Sequence, residues 1–215
     1  MTIKKYFDEI SIVLPEIEIS ILLINDGSII DLTSGLKELS MTCPLTIIAN
    51  KDNKGKGYSI RKAISTSRAD YIIFTDVDFP YTTKSFERVF STLQNENFDV
   101  ALGVRDEDYY DEIPQSRMRI SKLLKSLNQK LMNLITTDTQ CGLKGMTQKG
   151  KEILLQTKQN RYLIDLEFIK LLSKRKDVKT KLVTVELRAG VSFSTVAPSK
   201  IMGETLSFFK VLFRR

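Results

Sequence analysis

Histidine is absent from this chain of 215 residues. No imidazole can serve as acid, base or metal ligand, so any chemistry rests on carboxylates and cations. Cysteine is scarce as well. Cys43 and Cys141 are too few for a disulfide framework, which points to a reducing compartment. No apolar run approaches the roughly 20 residues that span a bilayer. Met1-Thr2-Ile3-Lys4-Lys5 lacks the apolar core of a signal peptide. Internal repeats and low-complexity linkers are also missing. What is present is ordinary for a folded protein: 42% hydrophobic and 27% charged residues imply one domain over 1–215 with a proper core. The balance is basic, 33 Lys and Arg against 26 Asp and Glu, a net +7. That charge favours an anionic partner: a nucleotide, a phospholipid surface or a nucleic acid.

The elements alternate. Ile3, Tyr6, Phe7, Ile10, Val13 and Leu14 have helical spacing, and Pro15 stops that helix. Residues 19–24 read as a strand closed by the turn signal Asn25-Asp26-Gly27-Ser28. A strand is expected over 45–49, a helix over 57–68, a strand over 71–75, a helix over 83–94 and a strand over 98–103. The pattern predicts an α/β fold, a mostly parallel central sheet with flanking helices. Residues 117–135 predict an amphipathic helix with a basic side formed by Arg117, Arg119, Lys122, Lys125 and Lys130. A further helix is expected over 165–174, a late strand over 181–187, and a helix over 201–215 ending in Arg214-Arg215.

Three segments carry the chemistry. Asp76-Val77-Asp78 closes the apolar run Tyr71-Ile72-Ile73-Phe74-Thr75. Two carboxylates just past a strand end lie where open α/β sheets bind ligands, and they suit Mg²⁺ or Mn²⁺ bridging to substrate phosphates. Asp26 sits past an earlier strand, either in a plain Asx turn or as a carboxylate facing a nucleobase or ribose. Asn53-Lys54-Gly55-Lys56-Gly57 opens a helix that carries Arg61, and a helix N-terminus flanked by lysines is a natural anion site. Asn53, Lys56, Gly57 and Arg61 are therefore either candidate anion-binding residues or a plain Gly-rich loop and helix start. The spacing is not that of a Walker A loop.

In that order the three segments resemble family 2 glycosyltransferases of the GT-A fold. Gly103-Val104-Arg105 is similar to the family's Gly-Ser-Arg. Asp138-Thr139-Gln140-Cys141-Gly142-Leu143-Lys144 resembles the Asp-Thr-Gln-Cys-Gly-Phe-Lys signature of the dolichyl-phosphate glucosyltransferase branch. Asp165-Leu166-Glu167 resembles that branch's Asp-x-Glu, and Ser199-Lys200 its Gly-Ser-Lys. The likeness runs from about Ile3 to Arg215, with 138–144 its most specific part.

The resemblance implies roles. Asp26 would contact the base of a nucleotide-sugar, Asp76 would lie near ribose and metal, and Asp78 would be the main metal ligand. Arg105 and one of Arg117 and Arg119 would hold phosphate oxygens. Asp138 and Arg119 are the candidate catalytic residues, and Arg117, Arg119, Gln140 and Lys144 the acceptor-binding ones. The acceptor would be a polyprenyl or dolichyl phosphate, already an anionic nucleophile, which needs no strong base and fits a chain without histidine. The reaction would be inverting transfer of a hexose, with glucose from UDP-glucose favoured by 138–144. A lipid acceptor implies a membrane surface. The tail 201–215 is a candidate interface helix, and a peripheral place on the cytoplasmic membrane face, with or without a separate membrane protein, is expected. Nucleic acid is not expected as a partner, because it leaves the ordered motifs unexplained.

One departure stands out. Relatives open with a strand ending in a Pro-x-Tyr-Asn-Glu-like segment, and here the reading starts at the helix after it. The expectation is a sheet without that strand, with pairing reduced beside Asp76-Val77-Asp78. Alternatives are a GDP-mannose-dependent polyprenyl-phosphate mannosyltransferase, a non-catalytic nucleotide- or membrane-binding relative, and last a nucleotidyltransferase.

Overall fold

The computed structural model describes residues 3–28, 40–41, 43–105, 133–189, 208 and 211–213. The elements are α1 (Ile3–Val13), β1 (Ile21–Asp26), β2 (Leu45–Asn50), α2 (Lys56–Thr66), β3 (Tyr71–Phe74), α3 (Thr83–Gln94), β4 (Val100–Arg105), β5 (Lys144–Thr147), α4 (Gln148–Leu155), α5 (Ile164–Ser173) and β6 (Thr180–Val185). Of the expected helix over 117–135, only 133–135 are described, and they are not helical. Arg117, Arg119 and Ser199-Lys200 lie outside the described residues, as does most of the tail.

The strands form two sheets. β1 and β2 pair in parallel, Ile21 opposite Leu45 through Asp26 opposite Asn50. The second sheet has the order β3-β5-β4-β6. β4 and β6 are parallel, while β5 runs antiparallel to both its neighbours. β5 and α4 were not expected from the sequence. Among the described residues β1 pairs only with β2, and β3 only with β5. The Asp76-Val77-Asp78 strand is therefore a sheet edge, in line with the reduced pairing expected beside it.

Strand alternation sorts the second sheet's side chains onto two faces. Val100, Leu102 and Met146, with Ile72 and Phe74, join Ile64 of α2, Ile153 and Leu154 of α4, and Ile164, Phe168, Ile169 and Leu172 of α5. Ala101, Val183 and Val185, with Tyr71 and Ile73, join Val89 and Leu93 of α3. The sheet thus lies between two helical layers. α3 forms because Phe86, Val89, Phe90 and Leu93 make one stripe and Thr82 caps its start, its hydroxyl accepting from Ser85 N at 3.2 Å. α1 packs on this layer by stacking Tyr6 on Phe79, with ring centroids 4.4 Å apart, and setting its edge to Phe86.

α5 is buried almost throughout and carries Asp165, Glu167 and Lys170 into the interior. Each finds a partner there, as buried charge requires. Lys170 Nζ donates to the carbonyls of Val211 and Leu212 at 2.7 and 2.8 Å, fixing the described end of the tail. Val211 is buried there, while Phe213 is exposed. No helix among the described residues is long and apolar enough to cross a membrane.

Candidate active site

Most of the candidate residues gather at the carboxyl ends of β1, β3 and β4. Asp76 follows β3 and is half-exposed, and Asp78 is exposed one turn on. The Asp76 carboxylate lies directly over Gly142. A Cβ there would stand 2.2 Å from Asp76 Oδ2, so only glycine leaves room for this carboxylate. Asp76 Oδ1 accepts from Lys56 Nζ at 3.0 Å.

Lys56 begins a chain of alternating charge. Its Nζ lies 3.7 Å from Asp165 Oδ2, and Asp165 Oδ1 accepts from Lys144 Nζ at 2.7 Å. Lys144 also donates to the carbonyl of Cys141, next to Gly142, which closes the circuit beneath Asp76. Burial works to lower the Lys56 pKa, but the charges of Asp165 and Asp76 outweigh it and hold the ammonium well above its ordinary range. Lys56 is thus a fixed cation at the mouth of the site. Lys144 is fully buried and sits 5.6 Å from the centre of the Phe74 ring. This corrects its expected role: with its donors spent on Asp165 and backbone carbonyls, it supports the site from below and does not meet an acceptor.

Arg105 and Asp138 come together at the end of β4. Arg105 N donates to Asp138 Oδ2 at 2.8 Å, and its Nε reaches the same oxygen at 3.0 Å. Nη2 bonds Oδ1, so the guanidinium grips the carboxylate as a fork. Their side chains are only 10% and 5% exposed, which makes this a buried pair instead of a phosphate clamp and a separate catalytic carboxylate. Gln140 is exposed beside it. Tyr81 OH accepts from Gly142 N at 3.1 Å and from Cys141 Sγ at 3.3 Å, locking this loop to the core. Burial pushes the Tyr81 hydroxyl far above its usual range, so it stays protonated.

Asp26 ties the ends of β1 and β2 to the loop ahead of α2. Its Oδ1 accepts from Asn50 Nδ2 at 2.8 Å and Lys54 N at 2.9 Å, and its Oδ2 from Gly55 N at 2.8 Å. Burial alone would raise its pKa, but these bonds and the Ser59 hydroxyl hold it below the ordinary value. Asp26 therefore positions the loop ahead of α2. Gly55 in that loop has φ +96, and a Cβ on it would meet Asn160 O at 2.4 Å. Gly57 is buried, its N donating to Asn160 O at 2.8 Å, and Asn53 is exposed. Arg61 does not reach the site. Its Nη1 donates to Gln159 O at 2.6 Å and Thr157 Oγ1 at 3.3 Å, and its Nη2 bonds Asn160 Oδ1. It clamps loop 157–160 to α2. Glu167 secures the same loop from α5, accepting from Lys158 N at 2.7 Å and Gln159 N at 2.8 Å.

Asp165 and Glu167 were visible only as a motif, but their burial had a signal. A helix reading Ile-Asp-Leu-Glu-Phe-Ile-Lys is apolar around the charges, so those charges must find partners inside. No group of three or more acidic, Cys or His side chains that could hold a metal exists among the described residues. Asp76 and Asp78 still fit a magnesium-like ion, which takes one or two carboxylates and draws its remaining ligands from substrate phosphates and water. An open groove of about 300 Å³ lined by Arg88, Thr92, Lys181 and Thr184 shares none of these residues.

Comparison with known proteins identifies the family and the fold. A sequence model of "Glycosyl transferase family 2" matches residues 3–153. Two uncharacterised proteins of Methanocaldococcus jannaschii are similar, one 26% identical over 61% of this chain and 61% of its own length, the other 28% identical over 78% and 69%. A dolichyl-phosphate beta-glucosyltransferase of Dictyostelium discoideum is 25% identical over 72% of this chain and 50% of its own. The chain thus spans between half and about two thirds of these relatives. Among solved structures, mannosyl-3-phosphoglycerate synthase from Rubrobacter xylanophilus superposes with a TM-score of 0.71 at 15% identity, covering 98% of this chain and 68% of that one. Glucosyl-3-phosphoglycerate synthase from Mycobacterium tuberculosis, with Mn²⁺, UDP-glucose and phosphoglyceric acid, gives 0.61 at 13% identity over 98% and 73%. At these identities the two synthases share the fold, which is GT-A.

Proposed function

The chain belongs to glycosyl transferase family 2, and from that premise we propose that it transfers a hexose from a nucleotide-sugar to a polyprenyl phosphate with inversion at the anomeric carbon. The observation that carries the proposal is the Asp76 carboxylate, seated on Gly142 at a strand end beside Lys56, with Asp78 exposed one turn on. UDP-glucose is the favoured donor, supported by the 138–144 segment and the dolichyl-phosphate beta-glucosyltransferase relative.

Asp76 and Asp78 would hold Mg²⁺ or Mn²⁺ against the donor diphosphate. When bound, the cation supplies Lewis-acid stabilisation of the charge that develops on the departing nucleotide. Lys56 keeps Asp76 in place and adds a second fixed positive charge at the same edge. The bond from the anomeric carbon to the nucleotide breaks as one to the acceptor's phosphate oxygen forms on the opposite face. That oxygen is anionic already, so no proton needs removing. The Arg105–Asp138 pair then acts by shaping the site and holding the end of β4, not as a base.

A non-catalytic nucleotide binder is the second reading. It is favoured by the edges of β1 and β3, which have no strand partner among the described residues and leave the proposed base-binding side less supported.

The test is transfer of radiolabel from UDP-glucose or GDP-mannose, with Mn²⁺, into organic-extractable product in the presence of a polyprenyl phosphate. Label in the lipid fraction, lost in Asp76→Asn, is the expected result, and the donor used names the sugar. Label passing only to phosphoglycerate would overturn the lipid acceptor. No transfer at all, with nucleotide still bound, would favour the binder.

A further inference from the structure

We propose that Arg188 is the positioning residue of the Asp76-Val77-Asp78 turn and sets where Asp78 meets a nucleotide-bound cation, an inference that rests on the donor reading above. Arg188 lies past β6 in a short extended run. Thr82 N donates to Glu186 O at 3.0 Å, and Tyr81 bridges Leu187 in antiparallel fashion, which brings the run against residues 80–82. From there Arg188 holds three successive carbonyls. Its Nη2 donates to Asp78 O at 2.8 Å, its Nε to Phe79 O, and its backbone N to Pro80 O at 2.9 Å.

The residue in the middle of that grip is under strain. Phe79 has φ 46, a left-handed conformation that a bulky side chain adopts only where its surroundings impose it. Three contacts impose it: the Arg188 fork, the Phe79 N bond to Asp76 O at 3.0 Å, and the Tyr6 ring stacked on Phe79. Asp78 is exposed, so the direction of its carboxylate follows from the backbone of the turn. What fixes that backbone therefore fixes Asp78. A planar guanidinium can serve two adjacent carbonyls at once, and a lysine ammonium cannot reproduce that fork.

The arrangement also predicts a sign. If Arg188 acted only through its charge, it would repel a cation at Asp78, and removing it would tighten metal binding. If it acts by positioning, removing it loosens metal binding whatever happens to the charge.

The experiment uses the full chain as wild type, Arg188→Met and Arg188→Lys. Hydrogen exchange at the Phe79 amide reads the turn, and the free Mn²⁺ resonance signal in the presence of UDP, then of GDP, reads the site. Both variants should keep the wild-type unfolding midpoint within a few degrees, lose protection at Phe79, and bind nucleotide-dependent Mn²⁺ about tenfold or more weakly, the range seen when groups orienting a metal ligand are removed. Equal or tighter Mn²⁺ binding in Arg188→Met overturns the inference alone, as does retained Phe79 protection in both variants. Should Arg188→Met fail to fold, Arg188→Lys with wild-type binding does the same. A wild-type chain that takes up no Mn²⁺ with either nucleotide overturns the donor reading, and this inference with it.

Discussion

β4 is buried from Val100 to Gly103, whereas every residue of β1 keeps part of its surface in solvent. Both are apolar runs of the kind found inside a sheet, but among the described residues β4 has a neighbour on each side and β1 on one only. The site straddles this difference. Lys144, Asp165, Arg105 and Asp138 hang on the interior of the four-stranded sheet and its helices, where packing is dense, while Asp76 follows the edge strand β3, none of whose residues is fully buried. Asp26 and the loop ahead of α2 hang on the two-stranded sheet and are held by hydrogen bonds among Asp26, Asn50, Lys54 and Gly55. The buried ion pairs beneath Asp76 make the rigid half, and the Asp26 loop is the lightly braced one.

Breaking the rigid half should cost most. Lys144→Met leaves buried Asp165 with only the more distant Lys56 ammonium and should destabilise the chain by about 3 kcal/mol in urea unfolding. Lys144→Met with Asp165→Leu should recover much of that loss, because the pair leaves together. A core truncation sharpens the contrast between sheets. Leu102→Ala, at a position with no exposure, should cost about 2–5 kcal/mol. Leu23→Ala in β1 should cost less, about 1–2 kcal/mol, since its side chain is only partly buried. Equal losses at the two positions would mean that β1 is as well packed as β4 in solution.

Thr82→Ala removes the cap of α3 and should cost about 1 kcal/mol by the same measurement. The smallest effect is in pH. Asp26 has a folded pKa below its ordinary 3.8, so its contribution is fully present above that value and lost as pH falls through the lower folded value. Asp26→Asn should flatten that acid limb. Hydrogen exchange at β1 and β2 amides should show it, with β4 amides unmoved until global unfolding.

The runs 19–24, 45–49 and 71–75 were readable in the sequence because each is short, continuous and mostly apolar, and they fold as strands 21–26, 45–50 and 71–74, the first running on through Asn25 and Asp26. The sequence also made α3 readable to the residue. It hid β5, whose Lys-Gly-Met-Thr shows neither alternation nor an apolar run and becomes a strand only because β3 and β4 pair with it. In the site, strand-end position places Asp26, Asp76, Asp78 and Arg105 at carboxyl edges, while Lys56 comes from the start of α2 and Asp138 from the loop ahead of β5. Which way a cation faces was not legible. Arg61 and Lys144 look like ligand-binding residues in the sequence, but they spend their donors on carbonyls and carboxylates of the protein itself. Arg188 carries no local signal, since its three carbonyl partners lie about a hundred residues away.

The most direct test of a metal-dependent nucleotide-sugar site on Asp76 and Asp78 is calorimetric titration of UDP and of GDP into the chain. It is run with and without Mn²⁺ and repeated on Asp78→Ala. The account predicts Mn²⁺-dependent binding of one nucleotide, UDP for the favoured reading, with that binding lost in Asp78→Ala. Binding of neither nucleotide, or binding indifferent to both Mn²⁺ and Asp78, would contradict it.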